Sequence, residues 1–252
     1  MTAAPYVFEY HLVNYRRTWR SSALSSFVLP LLTLLGFGVG VGAYVTGGVN
    51  GVPYLDWMVP GLIASTAVQT AMGESSWPVY SYFRWLRSYF AQVAAPLQVG
   101  DILGGHLAFV VFRTVLSCAA FLGIAALFGT LHSWWAPLSL PIAALTGLAV
   151  ATPTFAYAAA IPSDSYLAIL FRVGVLPMSL FSGAFFPVDS LPGVLAAIAY
   201  ALPLWHGVDL TRVVTLGVPP EWSIPGHVAY LALWAAGGAA LARRCFARRL
   251  VV

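Results

Sequence analysis

The serines of this chain are candidates for a catalytic nucleophile. A serine protease that works inside a membrane needs a G-x-S-G turn and a distant histidine that removes the serine proton. Ser182 and Gly183 supply the second half of such a turn, but Leu180 stands where the first glycine belongs. The sequence therefore predicts no serine nucleophile.

Aspartate and histidine could support acid–base or metal chemistry. Aspartyl catalysis inside a membrane needs two buried aspartates, and every aspartate lies at a predicted helix end or in a loop: Asp56, Asp101, Asp164, Asp189 and Asp209. The histidines show neither H-x-x-x-H nor H-E-x-x-H spacing, so a metal site has no support: His11, His106, His132, His206 and His227. We predict no catalytic residues in this chain, which leaves a passage, a receptor or a scaffold.

The amino-acid composition excludes a soluble enzyme. Of the 252 residues, 60% are hydrophobic and 8% are charged, with a mean hydropathy of +0.84, whereas globular proteins carry about 25% charged residues. This composition predicts a membrane protein. All 12 basic residues are arginine, and the missing lysine excludes a phosphate-binding G-x-x-x-x-G-K-[ST] loop. The arginines form short clusters between apolar runs, which favours membrane topology over nucleic-acid binding.

Six stretches are long and apolar enough to be predicted membrane helices, since about 20 apolar residues cross the hydrocarbon layer. The predicted spans cover residues 23–45, 57–79, 103–128, 137–161, 166–182 and 228–241. With six spans, nine arginines in three clusters fall on one side, which the positive-inside rule makes cytoplasmic. They are Arg16, Arg17, Arg20, Arg84, Arg87, Arg243, Arg244, Arg248 and Arg249. Both termini are therefore predicted to be cytoplasmic.

Residues 190–208 are also free of charge and could be counted as a seventh span. That count would place the four C-terminal arginines outside, and Pro192 and Pro203 interrupt the helix. We predict instead that residues 183–215 form a re-entrant helical pair on the outer face, since broken backbone at membrane depth is tolerated where protein or water surrounds it. It could act as an outer gate or only shield the helix ends.

Two segments outside the spans have distinctive patterns. In residues 1–22, Phe8, Leu12, Tyr15 and Trp19 form one apolar stripe, which predicts an amphipathic interfacial helix. It could anchor the chain at the membrane surface or also contact a cytoplasmic partner. Residues 80–100 form the longest cytoplasmic segment and are rich in aromatics. They could dock on a soluble subunit or pack only on lipid.

Three charges fall inside predicted spans. An unpaired charge in a membrane is unfavourable, so Glu74, Arg113 and Arg172 should find partners or reach the headgroups. If these charges form a gate or contact the substrate, Glu74→Gln should abolish transport at normal protein levels. If they form a structural ion pair, the same substitution should instead lower the amount of protein.

Residues 181–212 contain a motif of aromatic, glycine and proline residues. They read F-S-G-A-F-F-P-V-D-S-L-P, then P-L-W-H eleven residues later, then an arginine. This resembles the ABC-2 permease family, and among its members the nodulation-type lipo-oligosaccharide exporters and daunorubicin-resistance-type drug permeases. The matching positions are Phe181, Ser182, Gly183, Phe185, Phe186, Pro187, Leu191, Pro192, Pro203, Leu204, His206 and Arg212. Pro60 and Gly61 also resemble a family P-G pair.

The resemblance implies an all-α integral membrane permease: six spans, the interfacial helix and the re-entrant pair in a single domain over 1–252. It implies a second permease subunit, in a homodimer or heterodimer, and separate cytoplasmic ABC ATPase subunits that carry the ATP and Mg. The cargo would be an amphipathic drug, lipid or glycolipid exported across a bacterial inner membrane. Residues 80–100 would couple the ATPase through Arg84, Arg87 and Pro96, although the family's T-L-E lead is absent.

Other membrane functions stay open from the residues alone. A proton-coupled transporter would need membrane-embedded acids, of which only Glu74 qualifies. A non-transporting receptor or scaffold would need no ATPase partner.

Overall fold

The computed structural model describes residues 3–45 and 47–250; of residues 21–27, 29, 30, 39 and 41 it describes the backbone only. The first two residues of the predicted interfacial helix lie outside this range. The described residues are helical throughout, apart from loops and one isolated antiparallel bridge between Val49 and Val52. The all-α fold class is confirmed.

The first half of the chain forms five α-helices. They are α1 (Ala4–Thr33), α2 (Tyr54–Ser75), α3 (Trp77–Arg84), α4 (Ser88–Ala94) and α5 (Val99–Leu127). A π-helical segment (Leu34–Val41) and a 3₁₀ turn (Gly42–Tyr44) continue α1. The start of α5 is fixed by a capping box, in which Gln98 and Asp101 each bond the backbone N–H of the other.

The second half forms six more helices and short linking turns. They are α6 (Ser139–Ala160), α7 (Ser165–Ile169), α8 (Leu176–Phe181), α9 (Gly193–Ala201), α10 (Pro203–Leu216) and α11 (Ile224–Leu250). A π-helical segment (Leu170–Val175) joins α7 to α8, and 3₁₀ turns lie at Ala136–Leu138 and Val188–Ser190. Helix α10 ends at Gly217, whose positive φ of 73° suits glycine.

Three helices of the described residues are long and apolar enough to cross a membrane: Val99–Leu127, Ala136–Ala160 and Ile224–Leu250. The bent pair α9–α10 is a fourth if it counts as one broken span. Leu31–Tyr44 and Ser165–Phe181 are apolar but shorter, and α2 has 22 residues but is not among the candidates. The count of six spans therefore stays a prediction.

Helix α1 differs from the predicted pair of elements. The predicted boundary between residues 22 and 23 falls inside one continuous helix of 30 residues, because no glycine or proline occurs there to end it. The buried positions of the amphipathic part are Val7 and His11, each 2% exposed. The predicted stripe borders this face: Phe8, Leu12 and Tyr15 are half-buried, but Trp19 is half exposed.

Helices α2 and α6 lie at the centre of the bundle. Helix α6 packs most extensively on α11, α2 packs on α5, α6 and α10, and α1 packs on α5. Small residues permit these close approaches, and Gly147 of α6 lies against Thr114 and Ala71. Gly147 therefore lets α6 pack closely on α5 and α2 within one subunit.

The bundle has two distinct ends. At one end, which we call the arginine-rich end, the start of α1 meets α3, α4, the start of α5 and the end of α11. Arg249 of α11 stacks on Phe83 of α3 and bonds the Ala159 carbonyl at the end of α6. At the opposite end, His132 bonds Asp56 at the start of α2 and the Thr215 carbonyl at the end of α10.

Candidate functional site

A cavity of about 710 Å³ opens on one side of the bundle, between α2 and the Ser165–Phe181 segment. That segment packs weakly on the other helices, and its large side chains Ile169, Val173 and Leu176 are 53%, 71% and 58% exposed. The lining residues come from α1, α2, α3, α5, α8 and the two segments that follow α1 and α8. They are Thr33, Phe37, Leu62, Ser65, Thr66, Gln69, Thr70, Gly73, Glu74, Pro78, Arg113, Ser117, Phe121, Leu176, Ser179, Leu180 and Phe185.

The α2 wall of the cavity is polar. Thr66, Gln69, Thr70, Gly73 and Glu74 recur at helical spacing, so they share one face. Gln69 is exposed and the others are half-buried, while the opposite face of α2 is buried in the core. The facing wall is mostly apolar and includes Phe37, Leu176, Leu180 and Phe185. The cavity can therefore hold an amphipathic molecule.

Glu74 and Arg113, two of the predicted membrane charges, are partners. Arg113 Nε donates to Glu74 Oε1 over 3.0 Å, with the two side chains 8% and 25% exposed. The Arg113 guanidinium also lies 4.3 Å from the ring centroid of Tyr15 on α1. Arg113 thus ties α1, α2 and α5 together at the cavity wall, which fits the structural interpretation of the pair.

Arg172 does not join this pair. It lies exposed on the π-helical segment before α8 and forms no ion pair with any described residue. This position fits a side chain that extends to the lipid headgroups.

At the arginine-rich end, α4 is held by one side chain. Tyr89 is fully buried, and its hydroxyl donates to His106 Nδ1 on α5 over 2.6 Å. Burial, followed by the neighbouring tyrosines, raises the pKa of Tyr89 well above 10.0, so the phenol keeps its proton and remains a donor. The ring packs on Phe83 of α3 and Phe246 of α11. On its other side, His106 stacks on His11 of α1 at 4.0 Å.

Arg84, Arg87 and Pro96, the predicted coupling residues, are all exposed around α4. Arg87 precedes α4 with a positive φ of 53°, a left-handed conformation that turns the chain between α3 and α4. A groove of about 400 Å³ separates α4 from α1. Its lining is mainly apolar: Tyr6, Val7, Tyr10, Leu86, Ser88, Ala91, Gln92, Ala95 and Leu97.

At the opposite end, the predicted re-entrant segment is a bent helical pair. Helices α9 and α10 meet at 79°, and Pro192 and Pro203 stand at the two helix starts, where their missing N–H groups are not needed. Gly183 turns the chain after α8 with a φ of 80°. Among the remaining motif residues, Ser182 is buried, and Phe181, Phe185, Phe186, Pro187 and Leu191 are half-buried.

Arg212 fastens this pair to α2. It is 4% exposed, its guanidinium stacks 3.7 Å from the Trp57 ring, and Nη2 donates to the Gly183 carbonyl over 2.8 Å. His206, also on α10, is 2% exposed and bonds the Tyr200 carbonyl of α9 through Nε2. The motif residues therefore connect three helices to the turn after α8.

The predicted position of Asp209 at a helix end or in a loop is wrong. It lies inside α10 and is 2% exposed, rather than at a helix end or in a loop. His227, in the first turn of α11, lies 2.9 Å from it and is also in contact with His206. This cluster could not be predicted, because its members come from two helices and match no local spacing. The described residues contain no group of three or more side chains that could hold a metal ion.

Gly61 provides a stability test of the opposite end. A Cβ at this position would lie 2.5 Å from Ala184 Cα, a backbone atom that cannot move without shifting the turn. We expect Gly61→Ala to destabilise the protein by about 1–3 kcal/mol through overpacking. Gly73→Ala on the same helix has nothing within 4 Å of the new Cβ and is the matched control. Thermal unfolding in detergent compares them, and equal midpoints would contradict the close approach.

The long apolar helices are those of an integral membrane protein. The chain belongs to the ABC-2 type transporter family, whose match spans residues 6–216.

Several curated relatives share most of their length with this chain, and all are named nodulation protein J. That of Rhizobium leguminosarum bv. trifolii is 35% identical over 80% of this chain and 78% of its own length. The Rhizobium meliloti protein is 32% identical over 84% and 81%, and the Neorhizobium galegae protein 32% identical over 90% and 86%.

Proposed function

We propose that this chain is the permease subunit of an ATP-driven exporter that moves an amphipathic drug, lipid or glycolipid out across the bacterial inner membrane. Two permease subunits enclose the passage, and separate cytoplasmic ABC ATPases supply the energy. Membership of the ABC-2 type transporter family supports the class of transporter. The cargo, the dimer and the ATPase contact are the parts that need testing.

The polar face of α2 carries the proposal. An exposed glutamine and half-buried threonines beside an ion pair are unfavourable against lipid tails. Gln69 and its neighbours are favourable where they line a water-filled passage. The weakly packed Ser165–Phe181 segment borders the same opening. A second copy on this side would close the cavity into a passage with one polar and one apolar wall.

The arginine-rich end is the proposed cytoplasmic end. Two of the three arginine clusters lie at this end, Arg84 with Arg87 beside α4 and the arginines at the end of α11, and by the positive-inside rule it is the cytoplasmic end. The exposed side chains Trp85 and Leu86, 60% and 65% exposed, flank α4 and the apolar groove beside it. This surface is the proposed contact with the ATPase. The bent α9–α10 pair is then the outer gate.

Co-purification tests the ATPase partnership. The tagged chain, isolated from its native host in mild detergent, is expected to bring down a stoichiometric protein with a G-x-x-x-x-G-K-[ST] loop. The complex should show vanadate-sensitive ATP hydrolysis. Recovery of the chain alone across several detergents would contradict the exporter and favour a receptor, a scaffold or a proton-coupled transporter.

The passage is tested by thiol labelling on the same complex in lipid nanodiscs. Gln69→Cys should react with a charged, membrane-impermeant thiol reagent, and vanadate trapping should change its rate. Leu233→Cys is the control, because Leu233 is 72% exposed on the apolar surface of α11. Cys245 is replaced by serine, and Cys118 can stay because it is fully buried. Equal labelling at positions 69 and 233 would remove the evidence for a water-filled passage.

A further inference from the structure

Two buried histidines and an aspartate form a chain of close polar contacts at the opposite end. His206 Nε2 lies 3.1 Å from the Tyr200 carbonyl, and His206 Nδ1 lies 2.8 Å from His227 Nδ1. His227 Nε2 lies 2.9 Å from Asp209 Oδ2, off the line of a ring hydrogen bond. This nitrogen has no hydrogen-bond partner among the described residues. All three side chains are 2% exposed or less.

Proton counting shows what these contacts require. Each joins two atoms that carry lone pairs, so the two atoms repel each other unless one of them carries a proton. Three contacts need three protons, whereas two neutral imidazoles carry one each. The count does not depend on the tautomer of either ring. The third proton must be bound in addition, on an imidazole or on the Asp209 carboxyl.

Aromatic rings and a few charged groups surround the site. The rings of Trp205 and Trp222 pack on His227, and Tyr230 stacks on His206 at 4.0 Å, which keeps water away. The charged or titratable groups nearby are Arg212 on α10, Glu221 in the loop after α10, Tyr200 on α9 and Asp189 before it. The Glu221 N–H donates to Asp209 Oδ2 over 3.0 Å.

We propose that His206, His227 and Asp209 form a buried proton-binding site that clamps the bent α9–α10 pair to the first turn of α11. The clamp joins three helices: α9 through the Tyr200 carbonyl, α10 through His206 and Asp209, and α11 through His227. Loss of the additional proton leaves His227 Nε2 and Asp209 Oδ2 facing each other with lone pairs only, which loosens the junction. This site does not depend on the ATPase partnership proposed above.

The sign of the pH effect follows from the protons bound in each state. Above about pH 7 the histidines of an unfolded chain are mostly neutral, since their ordinary pKa is about 6.5. The proposed additional proton is bound by the folded site alone, so where the histidines of the unfolded chain are neutral the folded state binds more protons than the unfolded state. Stability must then fall as the pH rises through the range in which the site releases that proton.

Asp209→Asn is the decisive variant. The carboxamide has nearly the same shape and does not titrate, and its oxygen can keep the bond from the Glu221 N–H while the carboxylate that would retain the additional proton is removed. Thermal unfolding midpoints of the full chain in lipid nanodiscs are measured at pH 7 and pH 9. We expect the wild-type midpoint to fall by about 5 °C more than that of Asp209→Asn over this interval. Equal falls in the two proteins would overturn the proposal.

Two further variants test other causes of the fall in the unfolding midpoint between pH 7 and pH 9. Partial desolvation, and then Asp209, raise the pKa of the Glu221 carboxyl, so Glu221→Gln removes the nearest competing titration. This variant should keep the wild-type fall, and loss of the fall would assign it to Glu221 instead. If Asp209→Asn does not fold, His227→Gln provides the same test, because its amide can donate to Asp209 without titrating. A wild-type fall in His227→Gln would also overturn the clamp.

Discussion

Glu74→Gln is expected to reduce the amount of folded protein in the membrane several-fold. The substitution leaves Arg113 charged, with its side chain 8% exposed and its carboxylate partner removed. An uncompensated buried charge costs about 3 kcal/mol here, the lower end of the usual range for broken ion pairs, because Glu74 is itself a quarter exposed. Thermal unfolding in detergent, with the membrane-inserted yield, measures the loss.

The double variant Glu74→Gln/Arg113→Gln shows whether the pair or its charge matters. With both charges gone, no stranded ion remains, so the midpoint should recover most of the loss. Arg113→Gln alone should be milder than Glu74→Gln, since it strands the more exposed partner. Glu9→Gln, at an exposed position of α1, is the control for removal of one carboxylate. Normal protein levels with abolished transport would contradict the structural role and assign the pair to a gate.

Tyr89→Ala is expected to destabilise the protein by about 3–5 kcal/mol and to abolish binding of the ATPase partner. The tyrosine is the one buried residue of α4, so its loss leaves a cavity and frees the helix from α5 and α11. Tyr89→Phe keeps the ring and loses only the bond to His106, which should cost about 1 kcal/mol. Thermal unfolding and co-purification of the ATPase measure both effects.

Phe90→Ala is the matched control one residue away. Phe90 is 39% exposed, so its truncation should change stability by less than about 0.5 kcal/mol. It should still weaken ATPase binding, because the outer face of α4 is the proposed contact. Wild-type affinity in Phe90→Ala would move the contact away from α4, and an unchanged midpoint in Tyr89→Ala would show that α4 is not anchored by Tyr89.

Much of this architecture could be predicted because hydropathy and charge act along the chain. Charge-free runs predicted the positions of the long helices α5, α6 and α11, and the helix breaks at Pro192 and Pro203 predicted the bent pair. The cost of a lone membrane charge predicted that Glu74 and Arg113 need partners. In each case the feature that allows the prediction is contained in one segment of the sequence or in one residue type.

The rest depends on contacts between distant segments. His11 meets His106, and His206 meets His227, across 95 and 21 positions of sequence, and no spacing rule covers either pair. Asp209 appeared to belong to an outer loop, because one charge in an apolar stretch does not reveal which face of α10 carries it. The interfacial helix was predicted to end before the first span, although nothing at residues 22–23 interrupts the backbone.

The backbone of α1 is helical from Ala4 to Thr33, a length of about 45 Å. Near its start, Ala4 and Val7 press against Gly105 of α5, and its end reaches the cavity at Thr33. A tilt of only about 5° around the first contact displaces the far end by about 4 Å. A change in the tilt of α1 at its start would therefore be transmitted along the helix to the cavity wall at Thr33.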